Sequence, residues 1–231
     1  MKIIFACVLL LIVPLFLKAQ MSEQTQVVFD TTYNNYLYDS RLAYFKDLPV
    51  SEGEIVFVGN SITHWGDWAE LLNNAKVRNR GIAGDISFGV LARMDEVISR
   101  KPEKIFLMIG VNDIGRKIPL SMTLRNYERI LSLIKQKTPA SKVFIQSVLP
   151  INNDLINRKY FTGTNKEIAR LNIELEKLAA RLSVPNLNLN QLFLGADGQM
   201  QAKYTYDGIH LSAAGYLLWS RFLKDNKYCC D

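Results

Sequence analysis

Residues 54–59 read EIVFVG, an acidic residue, four apolar residues and a glycine, with Asn60 and Ser61 directly after them. A strand with one face in water alternates apolar and polar side chains. A strand covered on both faces is free of that constraint and reads as a continuous apolar run, the mark of a parallel sheet. KIFLMIG at 104–110 and KVFIQSVL at 142–149 have the same form. Their Val, Ile and Phe suit a pleated, buried surface. Two weaker candidates are 76–79 (KVRN) and 184–189 (VPNLNL), so a parallel sheet of about five strands is predicted.

Helical periodicity alternates with these runs. Between residues 121 and 137, Leu124, Tyr127, Ile130, Leu131 and Ile134 mark one face at spacings of three and four. From 164 to 182 the set is Ile168, Leu171, Leu175, Leu178 and Leu182, and Thr164 with Glu167 forms a capping-box pattern at its start. Residues 86–100 and 212–224 read as further helices, and the Tyr-rich segment 33–46 as a lead-in helix over an edge of the sheet. Strand alternating with helix predicts an α/β protein, a doubly wound three-layer α/β/α sandwich. The chain has 231 residues, 48% of them hydrophobic, enough for one good core. Residues 21–231 are expected to form a single domain with its core at about 54–224.

The first twenty residues stand apart. Lys2 precedes an unbroken apolar run from Ile3 to Leu17, followed by Lys18, Ala19 and Gln20. A charged start, a short apolar stretch and a small residue at the cut describe a secretory signal peptide over residues 1–20. The run is shorter than the roughly 20 residues that span a bilayer, so no stable membrane span is expected after cleavage. The expected location is the periplasm or the extracellular space. Cleavage would lower the formal charge from +6 to +4, because the segment holds Lys2 and Lys18 and no acid. That mild excess is not clustered, and no nucleic-acid partner is expected. Cys229 and Cys230 are adjacent, a poor geometry for a structural disulfide. With two histidines in all and no H-E-x-x-H or paired C-x-x-C motif, no metal site is expected.

In a doubly wound sheet, ligands bind beyond the carboxyl ends of the strands. Four segments fall there: Gly59-Asn60-Ser61, GIAGD at 81–85, Gly110-Val111-Asn112-Asp113, and Asp207 to His210 just before the last helix. Taken singly, each is ordinary turn or cap chemistry. Together they place a hydroxyl, an amide and an Asp–His pair at one edge. Two histidines compete as partner of Ser61. His64 and Asp67 follow it at spacings of three, on the turn that it begins. His210 belongs to a separate loop that carries its own acid, and can approach across the cleft while leaving room for a substrate carbonyl.

In this order and at these intervals, G-N-S-I, G-I-A-G-D, G-V-N-D and D-G-I-H resemble the four signature blocks of the SGNH (GDSL) hydrolases, over about Glu54 to Tyr216. The spacing is most similar to the platelet-activating-factor acetylhydrolase-like branch and to bacterial carbohydrate O-acetylesterases of the sialate type. The resemblance implies the same sandwich, with a flavodoxin-like parallel sheet. It implies a triad of Ser61, Asp207 and His210, with the D-x-x-H block supplying acid and base. It also implies an oxyanion hole made by the Ser61 and Gly84 N–H groups and the Asn112 amide, with no cofactor. One departure is Asn60, where the family usually has Asp.

The activity so implied is that of a secreted serine esterase working through an acyl-serine. The expected substrate is a small-molecule ester, an acetylated sugar such as an O-acetylated sialic acid. Trp65, Trp68, Tyr204 and Tyr206 flank the blocks and can stack on a sugar ring, although Trp68 beside a strand end also reads as core. The loop 150–154 (PINND), with Asn152 and Asn153, is expected to reach the cleft. His64 is then a pocket wall or an exposed residue. Alternatives are a lysophospholipase or thioesterase of the same fold, and an inactive carbohydrate-binding module on this scaffold.

Overall fold

A computed structural model describes residues 29–229. The expected signal segment and Cys230 lie outside them. Asn35 caps α1 (Tyr36–Asp47), its side chain accepting the backbone N–H groups of Leu37 and Tyr38. β1 (Ile55–Gly59) leads into two short helices, α2 (Ser61–His64) and α3 (Trp68–Leu72), and then β2 (Val77–Gly81). α4 (Ser87–Ala92) and α5 (Met94–Ser99) precede β3 (Lys104–Met108), and α6 (Val111–Gly115) and α7 (Leu120–Lys137) precede β4 (Lys142–Gln146). α8 (Asn165–Leu182), β5 (Asn186–Leu187), α9 (Asn190–Phe193) and α10 (Ala213–Asp225) follow.

All neighbouring strands are parallel, in the order β2-β1-β3-β4-β5. The chain leaves β1 toward one edge and returns to build β3 on its other side. The switch in direction opens a crevice beyond the carboxyl ends of β1 and β3, where such sheets bind ligands.

Side-chain alternation assigns the two faces of the sheet. Phe57, Phe106 and Phe144 are register partners on adjacent strands, and their rings stack at 4.7 and 4.8 Å. Trp68 of α3 stacks on Phe57 at 4.4 Å, and Trp219 of α10 meets Trp68 edge-on at 4.6 Å. Truncating a buried aromatic typically costs about 3–5 kcal/mol, so this row anchors the sheet beneath the crevice. The intervening Val56, Val58, Ile105, Leu107 and Ile145, all buried, face the opposite layer. There α4 and α5 pack on α7, and α7 on α8. These are the three expected layers. α1 lies over the β2 edge, with Tyr38 and Phe45 packed against Ile82. No helix among the described residues is long and apolar enough to cross a membrane.

Two expectations are corrected. The helix expected over 86–100 is two helices, broken at Arg93, where φ is −106° and ψ 10°. Its guanidinium turns inward to Asp85 Oδ2 at 2.9 Å and to the Gly59 carbonyl at 3.1 Å. The strand expected over 184–189 pairs only at Asn186 and Leu187, since Pro185 has no N–H to offer a ladder. β2, weak in the sequence because it reads VRNRG, pairs its two arginines with buried acids. Arg80 Nε lies 3.0 Å from Glu96 Oε1, and Arg78 Nε 3.1 Å from Glu54 Oε1. Glu54 is itself held by Arg100 Nε at 2.6 Å. Removing one partner of such a group would strand a buried charge.

Candidate active site

The site starts where β1 turns into α2. Asn60 is the N-cap of α2, its Oδ1 accepting the Ile62 N–H at 3.0 Å. An Asp would cap in the same way, so the Asn keeps this local bond. Ser61, the first helical residue, is therefore not the cap, and its hydroxyl is available for other contacts. Ser61 Oγ lies 2.8 Å from His210 Nε2, and His210 Nδ1 lies 2.6 Å from Asp207 Oδ2. Asp207 and His210 reach Ser61 from the loop before α10, across the crevice. Of the two histidines, it is His210 that contacts Ser61 Oγ.

That loop holds itself rigid. Asp207 Oδ1 accepts the backbone N–H groups of Ile209 and His210 at 2.9 and 2.8 Å. Thr205 Oγ1 accepts from Gly208 N–H at 2.9 Å and donates to the His210 carbonyl at 2.7 Å. Burial pushes the Asp207 carboxyl up, but the bonds from the His210 ring and the two N–H groups outweigh it and hold the pKa below the ordinary value of 3.8. Asp207 thus stays ionised beside the imidazole.

The second block forms a turn from Ile82 to Asp85, closed by the Asp85 N–H on the Ile82 carbonyl at 3.2 Å. Gly84 has φ +79°, a conformation that glycine adopts without strain, and a Cβ there would meet nothing within 4 Å. Its glycine therefore answers to backbone geometry. The Ile82 N–H donates to the Gly59 carbonyl, the Ala83 N–H to His64 Nδ1 and the Asp85 N–H to Ile82. Among the described residues, the N–H of exposed Gly84 has no such partner. Asn112, just past the end of β3, donates one Nδ2 hydrogen to the Asp85 carbonyl at 2.8 Å, leaving its second hydrogen uncommitted. Ser61 N–H, as the first of its helix, has no helical acceptor. Three donors thus stand on the elements around Ser61 Oγ, and a developing oxyanion needs such donors.

Two buried acids brace these blocks. Asp85 sits against Arg93, and burial raises its pKa to about 6 despite that partner. Asp113, also raised by burial, accepts the Ser87 N–H and hydroxyl and the Thr123 hydroxyl, tying α6 to α4 and α7.

Trp65 is 46% exposed and Tyr206 57%. Their ring centroids lie 4.3 and 5.9 Å from that of His210 and 6.3 Å from each other, so the two half-exposed rings and the imidazole form one cluster. Trp68 is core, and its indole N–H donates to the Thr63 carbonyl at 2.8 Å. Tyr204 is partly buried, edge-on to Phe193. Asn152, expected to reach the cleft, is buried. Its buried side chain donates to the Met200 carbonyl and accepts from the Asp154 and Leu155 N–H groups. Its own N–H donates to the Gly208 carbonyl, so it supports the Asp207–His210 loop. Asn153 Oδ1 accepts from Arg158 and its N–H donates to Gln199, on the exposed side of the 150–154 loop.

The GDSL-like lipase/acylhydrolase family model matches residues 57–218. The chain belongs to this family. Membership makes it a carboxylic ester hydrolase of the acylhydrolase type. Among relatives, it is 26% identical over 176 residues to the platelet-activating factor acetylhydrolase IB subunit alpha2 of Rattus norvegicus, covering 74% of each chain. It is 27% identical over 169 residues to the N-acylneuraminate cytidylyltransferase of Escherichia coli, but spans only 38% of that protein's length. A solved structure from Streptococcus pneumonia, described as a platelet activating factor, has a TM-score of 0.76 at 30% identity, over 82% of this chain and 92% of its own. The fold is shared with a GDSL-like lipase from Bacteroides thetaiotaomicron, with a TM-score of 0.71 at 24% identity, over 82% of this chain and 96% of the other.

Sequence reasoning missed one residue of the site, Asn79, and the contact made by another, His64. Asn79 Nδ2 lies within 3.0 Å of the Thr63, His64 and Gly66 carbonyls, and its Oδ1 accepts the Gly81 N–H, joining β2 to α2. His64 accepts from the turn that carries Gly84, a contact set by folding across two strands. No local signal marks Asn79, and the spacing that singled out His64 pointed to Ser61 and not to this turn.

Proposed function

We propose that this acylhydrolase is an exported esterase that removes a small acyl group, acetyl, from a sugar such as an O-acetylated sialic acid. Ser61 is the nucleophile, His210 the base and Asp207 its orienting acid. The observation that carries the chemistry is the continuous relay from Ser61 Oγ to His210 Nε2 at 2.8 Å and from His210 Nδ1 to Asp207 Oδ2 at 2.6 Å.

In this reading Ser61 Oγ attacks the ester carbonyl as its proton passes to His210 Nε2. The ionised Asp207 fixes the proton on Nδ1 and stabilises the imidazolium. The Ser61 and Gly84 N–H groups and the Asn112 amide receive the oxyanion of the tetrahedral intermediate. Collapse breaks the bond to the sugar oxygen, which takes the proton from His210 Nε2 and departs as the free hydroxyl, leaving an acetyl-serine. Water, deprotonated by the same imidazole, then attacks this ester and releases acetate, restoring Ser61.

Three observations support the substrate. Trp65 and Tyr206 offer open rings beside the base, where the alcohol portion of the ester leaves, and sugars stack on such faces. One relative is named an acetylhydrolase and another for N-acylneuraminate, a sialic acid. An apolar cavity of about 510 Å³, suited to a long acyl chain by size, is lined by Leu131, Lys142, Val143 and Pro185, at the opposite end of β4 from the site. Export rests on the apolar start of the chain alone. The test is turnover of p-nitrophenyl acetate, butyrate and octanoate beside an O-acetylated sialic acid, with Ser61→Ala as control. Rates should fall with acyl length and vanish in the variant. A preference for octanoate would move the substrate to lipids, and full activity in folded Ser61→Ala would end the serine-esterase reading.

A further inference from the structure

We propose that His64 is a positioning residue for the oxyanion site, its Nδ1 holding the Ala83 N–H and with it the turn that presents the Gly84 N–H. The inference rests on the esterase reading of Ser61 and Gly84. The Ala83 nitrogen lies 3.1 Å from His64 Nδ1. A backbone N–H can only donate, so Nδ1 is the acceptor and the ring proton sits on Nε2. Burial first, and then the charge of Arg41 on α1, lower the pKa of His64 below its ordinary 6.5 and favour this neutral form.

The location explains why a ring is useful there. His64 is three residues after Ser61 on the same one-turn helix, so the imidazole refers the turn to the element that carries the nucleophile. The beginning of the turn is already pressed against that helix. A Cβ on Gly81 would collide with His64 N, and Asn79 ties the carbonyl end of α2 to the Gly81 N–H. Beyond Gly81 the chain leaves the sheet. Ile82 still donates to Gly59, but among the described residues it is His64 alone that holds the Ala83 N–H, and Gly84 is next. On the far side, Asn112 and Arg116 grip the carbonyls of Asp85 and Gly84. His64 supplies the hold on the side of the nucleophile. An oxyanion donor displaced by as little as about 1 Å can cost roughly a hundredfold in rate, so loss of this anchor should be read in turnover.

The test compares wild type with His64→Ala and His64→Asn, the latter placing an amide oxygen where Nδ1 stands. Each is measured for kcat and KM on p-nitrophenyl acetate, for melting temperature and for amide exchange at Ala83. His64→Ala should lower kcat by about tenfold to a hundredfold, with KM within about twofold and faster exchange at Ala83. His64→Asn should recover most of both losses. A wild-type kcat in His64→Ala, or equal losses in the two variants tracking melting temperature alone, would overturn the proposal, as would unchanged Ala83 exchange. If the wild type showed no turnover, the esterase reading would fail instead. Ala83 exchange alone would then decide whether His64 holds the turn.

Discussion

Replacing Asn112 by alanine separates chemistry from architecture more cleanly than removing the nucleophile. In the resting protein one Nδ2 hydrogen bonds the Asp85 carbonyl at 2.8 Å. A half-buried bond of this kind contributes about 1 kcal/mol net, so Asn112→Ala should lower the melting temperature by only about 2–4 °C in a domain of this size. The second hydrogen is the proposed oxyanion donor. It matters to rate only as far as it bonds the charged tetrahedral oxygen better than the ground-state carbonyl. Loss of one such donor typically costs about 3–4 kcal/mol in the transition state, a fall in kcat of about 10²–10³ with KM nearly unchanged. Steady-state kinetics on p-nitrophenyl acetate and a thermal melt of the same sample read both quantities. A folded Asn112→Ala protein with near-normal kcat and a clear loss of melting temperature would make Asn112 a turn residue and remove it from the oxyanion site.

Asp207→Asn should reduce kcat by up to about 10⁴, because an amide opposite Nδ1 permits the wrong imidazole tautomer; kcat at saturating ester measures this. The same variant tests the acid's ionisation. The folded Asp207 pKa lies below 3.8, so its stabilisation is fully present above that value and is lost as pH falls through the lower, folded value. Urea melts should therefore show wild type more stable than Asp207→Asn at neutral pH, the gap closing in acid below about 4. Trp65→Ala should raise KM for an O-acetylated sugar by roughly fivefold, the worth of about 1 kcal/mol of ring contact. It should leave kcat/KM on p-nitrophenyl acetate within about twofold, and equal losses on both esters would assign Trp65 to the architecture of the site.

The parts of this protein that its sequence makes legible are those whose signal is local. Val56 to Val58 and Ile105 to Ile109 are apolar without interruption because helices cover both faces of their strands. α8 declares its start through Thr164 and Glu167, which bond each other's backbone N–H groups in the fold. The four blocks could be placed at one edge because parallel strands all present their carboxyl ends there. What escaped depends on partners distant along the chain. β2 is polar since Arg78 and Arg80 find buried acids at Glu54 and Glu96, and Asn79 spans to α2. The break at Arg93 answers to Asp85 and to the Gly59 carbonyl, 34 residues away. Asn152 looked like a loop residue free to meet substrate, yet its bonds run to Met200 and to the Asp207–His210 loop. His64 is the sharpest case. Spacing suggested a triad member, family resemblance suggested a bystander, and the structure gives it the Ala83 N–H.

In the proposed mechanism His210 activates Ser61, and His64, nearer only along the sequence, does not. Treating wild type, His210→Ala and His64→Ala with a fluorophosphonate and locating the adduct by mass spectrometry tests it directly. The wild type should give a single adduct on Ser61, its rate of formation falling by orders of magnitude in His210→Ala and far less in His64→Ala. Labelling that persists in His210→Ala and disappears in folded His64→Ala would contradict it.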